Sequence, residues 1–523
     1  MMHRAAWLVV TMAVMALSAV ARGAEPGVED LVGHWTGTIK LPGQELPIDL
    51  DFQKGDSGVT GDISIPMQAV KDSPLTDVKV SDGMYRFKFP VAPGNATFEC
   101  VINESGTIAG SLLQAGQRFP FTAKRAKTEA ASVQEALEGY DEAVERIRAT
   151  WKAPGLSLVI VKGSEVVHAA GYGKRDVDND QPVTTKTLFA IGSSTKAFTT
   201  FVMGTLVDDR KLEFDKPVIE TLPDFRLKDE TATRLMTPRD LVTHRSGLPR
   251  HDVMWYNSGL TRQQMYERLR YLEPNESFRG AWQYNNLMFL TAGYLVERVT
   301  GKSWEENVRA RVFTPLGMAR SNFSVKDSAA DADHAEPYSE KDAAVNKIAF
   351  RDIAEIGPAG SINSCADDLA PWLIVHLNEG KLNGREVIRA STLKELHSPQ
   401  MIMPSADDPT TGTITIGYAM GWMVDVYRGH RRVHHGGNID GFSAAVVLYP
   451  DDGLGIAVLT NMNGSPVPDL VAQVAADRVL GLEQRDWSTE ARVKYEAAKA
   501  VMKEGEKKRE EMRIANAPAT HPL

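Results

Sequence analysis

The chain has 523 residues, 43% of them apolar and 24% charged, with a formal net charge of −9. That length exceeds one ordinary core, and the composition is that of a soluble globular protein, so two or three domains are expected. The acidic balance, without any long run of Lys and Arg, excludes a nucleic-acid surface.

In chain order, the first segment reads as an export signal. His3 and Arg4 precede an apolar run from Ala5 to Val20, and small residues follow at Ala19, Ala21, Gly23 and Ala24. The run is shorter than the roughly 20 residues of a spanning helix, which favours a cleaved signal peptide over residues 1–24 rather than a membrane anchor. Ala19-Val20-Ala21 is the expected recognition triplet, and no cysteine lies nearby for lipid attachment. A periplasmic or secreted location is expected, with no stable membrane span after cleavage.

Residues 28–126 read as an all-β domain. Ile48, Leu50 and Phe52 alternate with Asp49 and Asp51, and Tyr85, Phe87 and Phe89 alternate with Arg86 and Lys88, the period of half-buried strands. Gly, Asp, Asn and Pro clusters separate such strands, and a small barrel or sandwich is the closure that removes exposed edges. From Ala130 to Trp151 the pattern becomes helical, with Leu137, Tyr140, Val144, Ile147 and Trp151 three or four apart. Leu156–Val161 reads as an apolar strand, and Ala444–Tyr449 with Gly453–Leu459 as a hairpin around Pro450-Asp451-Asp452. Residues 483–523 form a charged tail in which Glu490–Arg513 suits a solvated helix. The two cysteines, Cys100 and Cys365, fall in different proposed domains and are expected to be plain buried thiols. No histidine or cysteine spacing suggests a metal site, and no cofactor is expected.

Ser193-Ser194-Thr195-Lys196 is a Ser-x-x-Lys sequence. A serine hydroxyl needs a base to become a nucleophile, and residues three apart share a helix face, so the lysine amine can lie beside it. A helix N-terminus disfavours a protonated lysine, which lets Lys196 serve as a neutral base. The motif alone is short, and Ser391-Thr392-Leu393-Lys394 repeats it as an ordinary helix start. Further on come Tyr284-Asn285-Asn286 and His434-His435-Gly436-Gly437. Taken singly, Tyr284 fits a packed aromatic, Asn286 a turn and the paired histidines a metal site. A Ser-His-Asp triad through Asp440 is the competing arrangement, although no Gly-x-Ser-x-Gly elbow occurs.

The order Ser-x-x-Lys, Tyr-x-Asn, then Lys/His-x-Gly resembles class C β-lactamases, serine D-alanyl-D-alanine carboxypeptidases and related esterases. His244-Arg245-Ser246-Gly247-Leu248-Pro249, Pro358-Ala359-Gly360-Ser361 and Gly417–Trp422 resemble further landmarks, and the likeness covers about residues 131–482. It implies an α+β fold, an antiparallel sheet flanked by helices plus a helical region. It implies catalysis by Ser193, Lys196 and Tyr284, the tyrosine as phenolate or hydrogen-bonded phenol. Asn286 would hold Lys196 and the substrate amide. His434, Gly436 and Gly437 would bind substrate, with the amides of Ser193 and Gly437 holding the oxyanion. The expected substrates are small peptides or amides, esters and β-lactams. His434 stands where β-lactamases usually carry lysine, and a neutral imidazole holds a carboxylate less strongly, so efficient β-lactam hydrolysis is the less favoured activity. The competing function is a non-catalytic or very slowly deacylating sensor of cell-wall fragments.

Overall fold

A computed structural model describes residues 26–515 except 56, 57, 69, 93, 95, 104, 126–128 and 405–410. The proposed signal segment lies outside the described residues. The chain divides into two compact units, with the boundary between Ala131 and Ser132.

The first unit is a closed barrel of eight strands in sequence order: β1 (Gly33–Leu41), β2 (Gln44–Gly55), β3 (Gly58–Ile65), β4 (Val70–Ser81), β5 (Met84–Phe89), β6 (Ala96–Ile102), β7 (Thr107–Gln114) and β8 (Gln117–Arg125). Alternation aims Leu46, Ile48, Leu50 and Phe52 of β2 inward. The ring of Phe87 stacks on Phe98 at 4.9 Å between centroids, with Phe52 and Phe121 edge-on to that pair. Strands β1 and β8 close the ring. Gly37 permits it: a Cβ there would fall 2.1 Å from the Thr122 carbonyl oxygen of β8. Of the two expected closures, the barrel forms.

The second unit is built on an eight-stranded antiparallel sheet. Its strands are β9 (Gly155–Lys162), β10 (Glu165–Asp176), β11 (Gln181–Pro182), β12 (Thr413–Tyr418), β13 (Met423–Tyr427), β14 (His430–Ile439), β15 (Phe442–Tyr449) and β16 (Leu454–Thr460). The spatial order is β11-β10-β9-β16-β15-β14-β13-β12. The central strands β9, β15 and β16 are buried on both faces, which accounts for their unbroken apolar sequences. The Pro450–Asp452 turn joins β15 to β16 as the sequence pattern predicts.

The two sheet faces carry different helices. The predicted single helix before β9 is two, α1 (Glu129–Ala136) and α2 (Tyr140–Thr150), because Gly139 takes a left-handed φ of 72°. Tyr140, Val144 and Ile147 of α2 pack with Leu158, Ile160, Ala445 and Val447 on one face, and Leu470, Val471 and Ala475 of α6 (Val467–Val479) join them. On the other face, Val159, Val161, Ala444 and Val446 meet α3 (Thr195–Asp208), α4 (Asn286–Thr300) and α5 (Ala366–Leu377), with Phe198 stacked on Trp372 at 3.8 Å. The last helix, α7 (Trp487–Ala515), is largely exposed, but its first turn is anchored: the Trp487 indole donates to Asp477 at 2.8 Å. Both cysteines are free and buried. Ser391 and Lys394 are exposed on the short helix Ala390–Leu396. Among the described residues no helix is long and apolar enough to cross a membrane.

Candidate active site

Ser193 lies in the single 3-10 turn Gly192–Ser194 that runs into α3. Gly192 is needed there twice over. Its φ is 49°, and a Cβ would sit 2.7 Å from the Asn438 amide nitrogen of β14. The Ser194 hydroxyl donates to the His435 carbonyl at 3.1 Å, which ties the turn to that strand.

Lys196 is 0% exposed, and its Nζ lies 3.0 Å from Ser193 Oγ. The amine also donates to the Ala359 carbonyl at 2.7 Å. Pro358 and Ala359 reach α3 because Gly293 of α4 has no side chain; a Cβ there would lie 2.2 Å from the Pro358 ring. Burial drives the Lys196 pKa well below the usual lysine value, and repulsion from Arg250 adds to this while Asp252 opposes it. These surroundings favour the uncharged amine.

Tyr284 forms the wall beside this pair. Lys196 Nζ is 4.8 Å from its ring centre, and the Arg250 guanidinium 5.0 Å. Burial raises the Tyr284 pKa, against a hydrogen bond with Ser193, which favours the phenol over the phenolate. His244 holds this segment by its backbone. It adopts a left-handed φ of 56°, its Nδ1 accepts from the Asn285 amide at 3.0 Å and its carbonyl accepts from the Gln283 amide at 2.7 Å. The buried Asp240 in turn anchors the loop, taking Arg245 at 2.6 Å and Arg279 at 2.6 Å.

Two expected roles differ from what the geometry shows. Asn286 caps no lysine: its amide donates to Asp252 Oδ1 at 3.3 Å, and the Ala359 carbonyl takes the place expected of it on Lys196. His434 faces away from the nucleophile. Side chains alternate along β14, so His435 and Gly437 share the face of α3, whereas His434 and Gly436 share the face of α6. His434 Nε2 lies 3.0 Å from Asp425, which also receives Arg432 bidentately. His435 is the histidine beside Ser193. It is 2% exposed, its Nε2 lies 3.1 Å from the Tyr418 hydroxyl, and burial, with the Lys196 charge second, pushes its pKa down to about 3. It is therefore neutral. The adjacent His-x-Gly in His435-Gly436-Gly437 was the available signal.

Ser193, Tyr284, His435, Gly436 and Gly437 line one cleft of about 700 Å³, together with Arg250, Met423, Asn438 and Asp469. Gly437 approaches the nucleophile turn so closely that a Cβ would lie 3.3 Å from the Ser193 nitrogen. This packs the β14 backbone against the Ser193 turn.

Comparison with known proteins agrees with this geometry. The Beta-lactamase family model matches residues 141–480, more than half of the chain. An unguisins hydrolase of Aspergillus campestris is 31% identical over 338 residues, covering 62% of this chain and 61% of its own length. Protein flp of Staphylococcus aureus is 26% identical over 61% of each. The chain thus spans about three fifths of the length of the curated relatives it matches. Among solved structures, a penicillin-binding protein homologue from Pyrococcus abyssi superposes with a TM-score of 0.56 at 26% identity over 66% of this chain and 78% of that one. A class C β-lactamase from Rhodobacter sphaeroides shares the fold, with a TM-score of 0.54 at 20% identity over 66% and 99%. The chain is a member of the Beta-lactamase family.

Proposed function

We propose that this protein is an exported serine hydrolase that works through an ester on Ser193. The observation that carries the reading is the buried Lys196 amine, deprived of its charge and 3.0 Å from Ser193 Oγ. Ser193 Oγ attacks the substrate carbonyl carbon while its proton passes to Lys196. The oxyanion forms at the backbone amides where the Ser193 turn meets β14. As the bond to the leaving group breaks, the proton reaches that group through the Tyr284 phenol. Water then attacks the acyl ester, gives one proton to the same base, and the proton returns to Ser193 Oγ as the ester bond breaks. The products are a carboxylic acid and a protonated leaving group.

The neutral His435 in the strand beside Ser193 favours esters and amides over β-lactams, whose carboxylate it holds less strongly than an ammonium would. An unguisins hydrolase among the relatives supports hydrolysis as the reaction class. The basic start and apolar run before Ala24 support export.

The test is intact-protein mass over time after mixing with a p-nitrophenyl ester and, separately, a penicillin. A transient ester adduct that is absent in Ser193→Ala is expected. An adduct with penicillin that persists would mark a sensor. A folded protein giving neither adduct nor product would overturn the reading.

A further inference from the structure

The cleft does not stop at Ser193. Beyond His434 the edge of β14 is unpaired by β13, whose register ends at Met423. The cleft crosses the strand there and opens on the face of α6. Gly436 makes the crossing possible, since a Cβ on it would meet only the Ala444 carbonyl, at 3.6 Å, and would otherwise project into open space. Met423 lines this far end with an apolar side, and Ser465, Pro468 and Asp469 close it.

Two formally charged side chains line the cleft. Arg250 is paired with Asp252 at 2.6 Å. Asp469 has no hydrogen bond and no ion pair among the described residues. The basic side chains that act on it are already committed: Arg432 binds Asp425 at 2.7 and 2.8 Å, and His434 lies 3.0 Å from the same carboxylate. Asp469 is exposed toward the cleft, and the protein packed around it raises its pKa, against the weaker pull of His434 and Arg432. A carboxylate in the first turn of α6 gains something from the helix dipole, but that effect is small and requires no cleft. An uncompensated carboxylate beside an apolar wall is the complement of an alkyl chain ending in a cation.

We infer that Asp469, with Met423, forms a cation subsite, so that the acyl compounds this cleft selects carry an ammonium or other organic cation. The inference rests on Ser193 acyl transfer for its kinetic form, and the two can fail separately. The experiment compares substrates that differ only in charge: acetylthiocholine against its carbon isostere S-(3,3-dimethylbutyl) thioacetate, and D- and L-alanine p-nitroanilide against their N-acetyl forms. In Asp469→Asn, kcat/KM for at least one cationic member should fall about tenfold or more, the size of one lost ion-pair contact. The neutral members should stay within about twofold, and Asp469→Glu should retain the preference for charge. An equal fall for cationic and neutral members, or no change in either, overturns the subsite. If the wild type turns over none of these compounds, the hydrolase reading stands or falls on the p-nitrophenyl ester adduct. Calorimetric binding then decides the subsite: cationic members bound by the wild type and lost in Asp469→Asn support it, and binding blind to charge overturns it.

Discussion

The barrel and the sheet unit solve the burial problem in opposite ways. Apart from the indole, phenol and thiol of Trp35, Tyr85 and Cys100, the described barrel core is aliphatic and aromatic carbon. The sheet unit buries Lys196, His244, His435, Asp240 and a second histidine pair, His376 and His397, whose rings lie 3.0 Å apart at their nitrogens. Burying an ionisable group costs stability unless it is paired or neutralised. The lysine and the four histidines are neutralised, as their depressed pKa values show. Of these groups Lys196 and His435 lie at Ser193, His376 and His397 do not line the cleft, and the described barrel core carries no comparable burden.

Three changes sharpen this contrast. The largest effect is expected at Lys196. Lys196→Ala should lower kcat/KM for an activated ester on the order of 10³-fold, the range of general-base removal. In the wild type the lysine pKa is lowered, so the neutral amine prevails above the lowered value. Activity should therefore be full at alkaline pH and fall as pH drops through that value. A pH profile without an acid limb, or a Lys196→Arg variant with normal turnover, would remove the lysine from the base role. Next, Phe98→Ala should cost the barrel about 3–5 kcal/mol through the cavity left between Phe87 and Phe121, read by chemical denaturation. Ester turnover by the sheet unit should be unchanged, and a parallel loss would make the barrel part of catalysis. The smallest effect separates the neighbouring histidines. His435→Ala should reduce kcat/KM about tenfold by freeing the Tyr418 hydroxyl and the cleft wall. His434→Ala should leave it within about twofold, and the reverse order would put the strand in the other register.

Much of this was legible in the sequence because it was local. Ser-x-x-Lys states a helical spacing, and the alternation of Leu46, Ile48, Leu50 and Phe52 states a strand with one buried face. The choice of barrel over sandwich depends on β1 meeting β8, and no local pattern encodes that meeting. The partner of Asn286 depends on where the Arg250–Trp255 segment returns, since Asp252 intercepts the amide expected to reach Lys196. The histidine register was legible but misread. Positions 434 and 437 cannot share a face of a strand, so Gly437 already selected His435. Asp469 gave no signal, because an acidic residue in a first helical turn reads as a partner of the helix dipole.

The seclusion of Lys196 has a practical consequence for chemical labelling. A lysine whose proton affinity is driven down is ordinarily the most reactive amine toward acylating and arylating reagents, since its lone pair is free at neutral pH. Here that lone pair lies behind Ser193 and Tyr284, and the amine is held by a backbone carbonyl with none of its surface in solvent. A lysine-profiling experiment would rank it among the inert residues and pass over an amine whose basicity burial has lowered. Only a reagent that first esterifies Ser193 gets within reach of it.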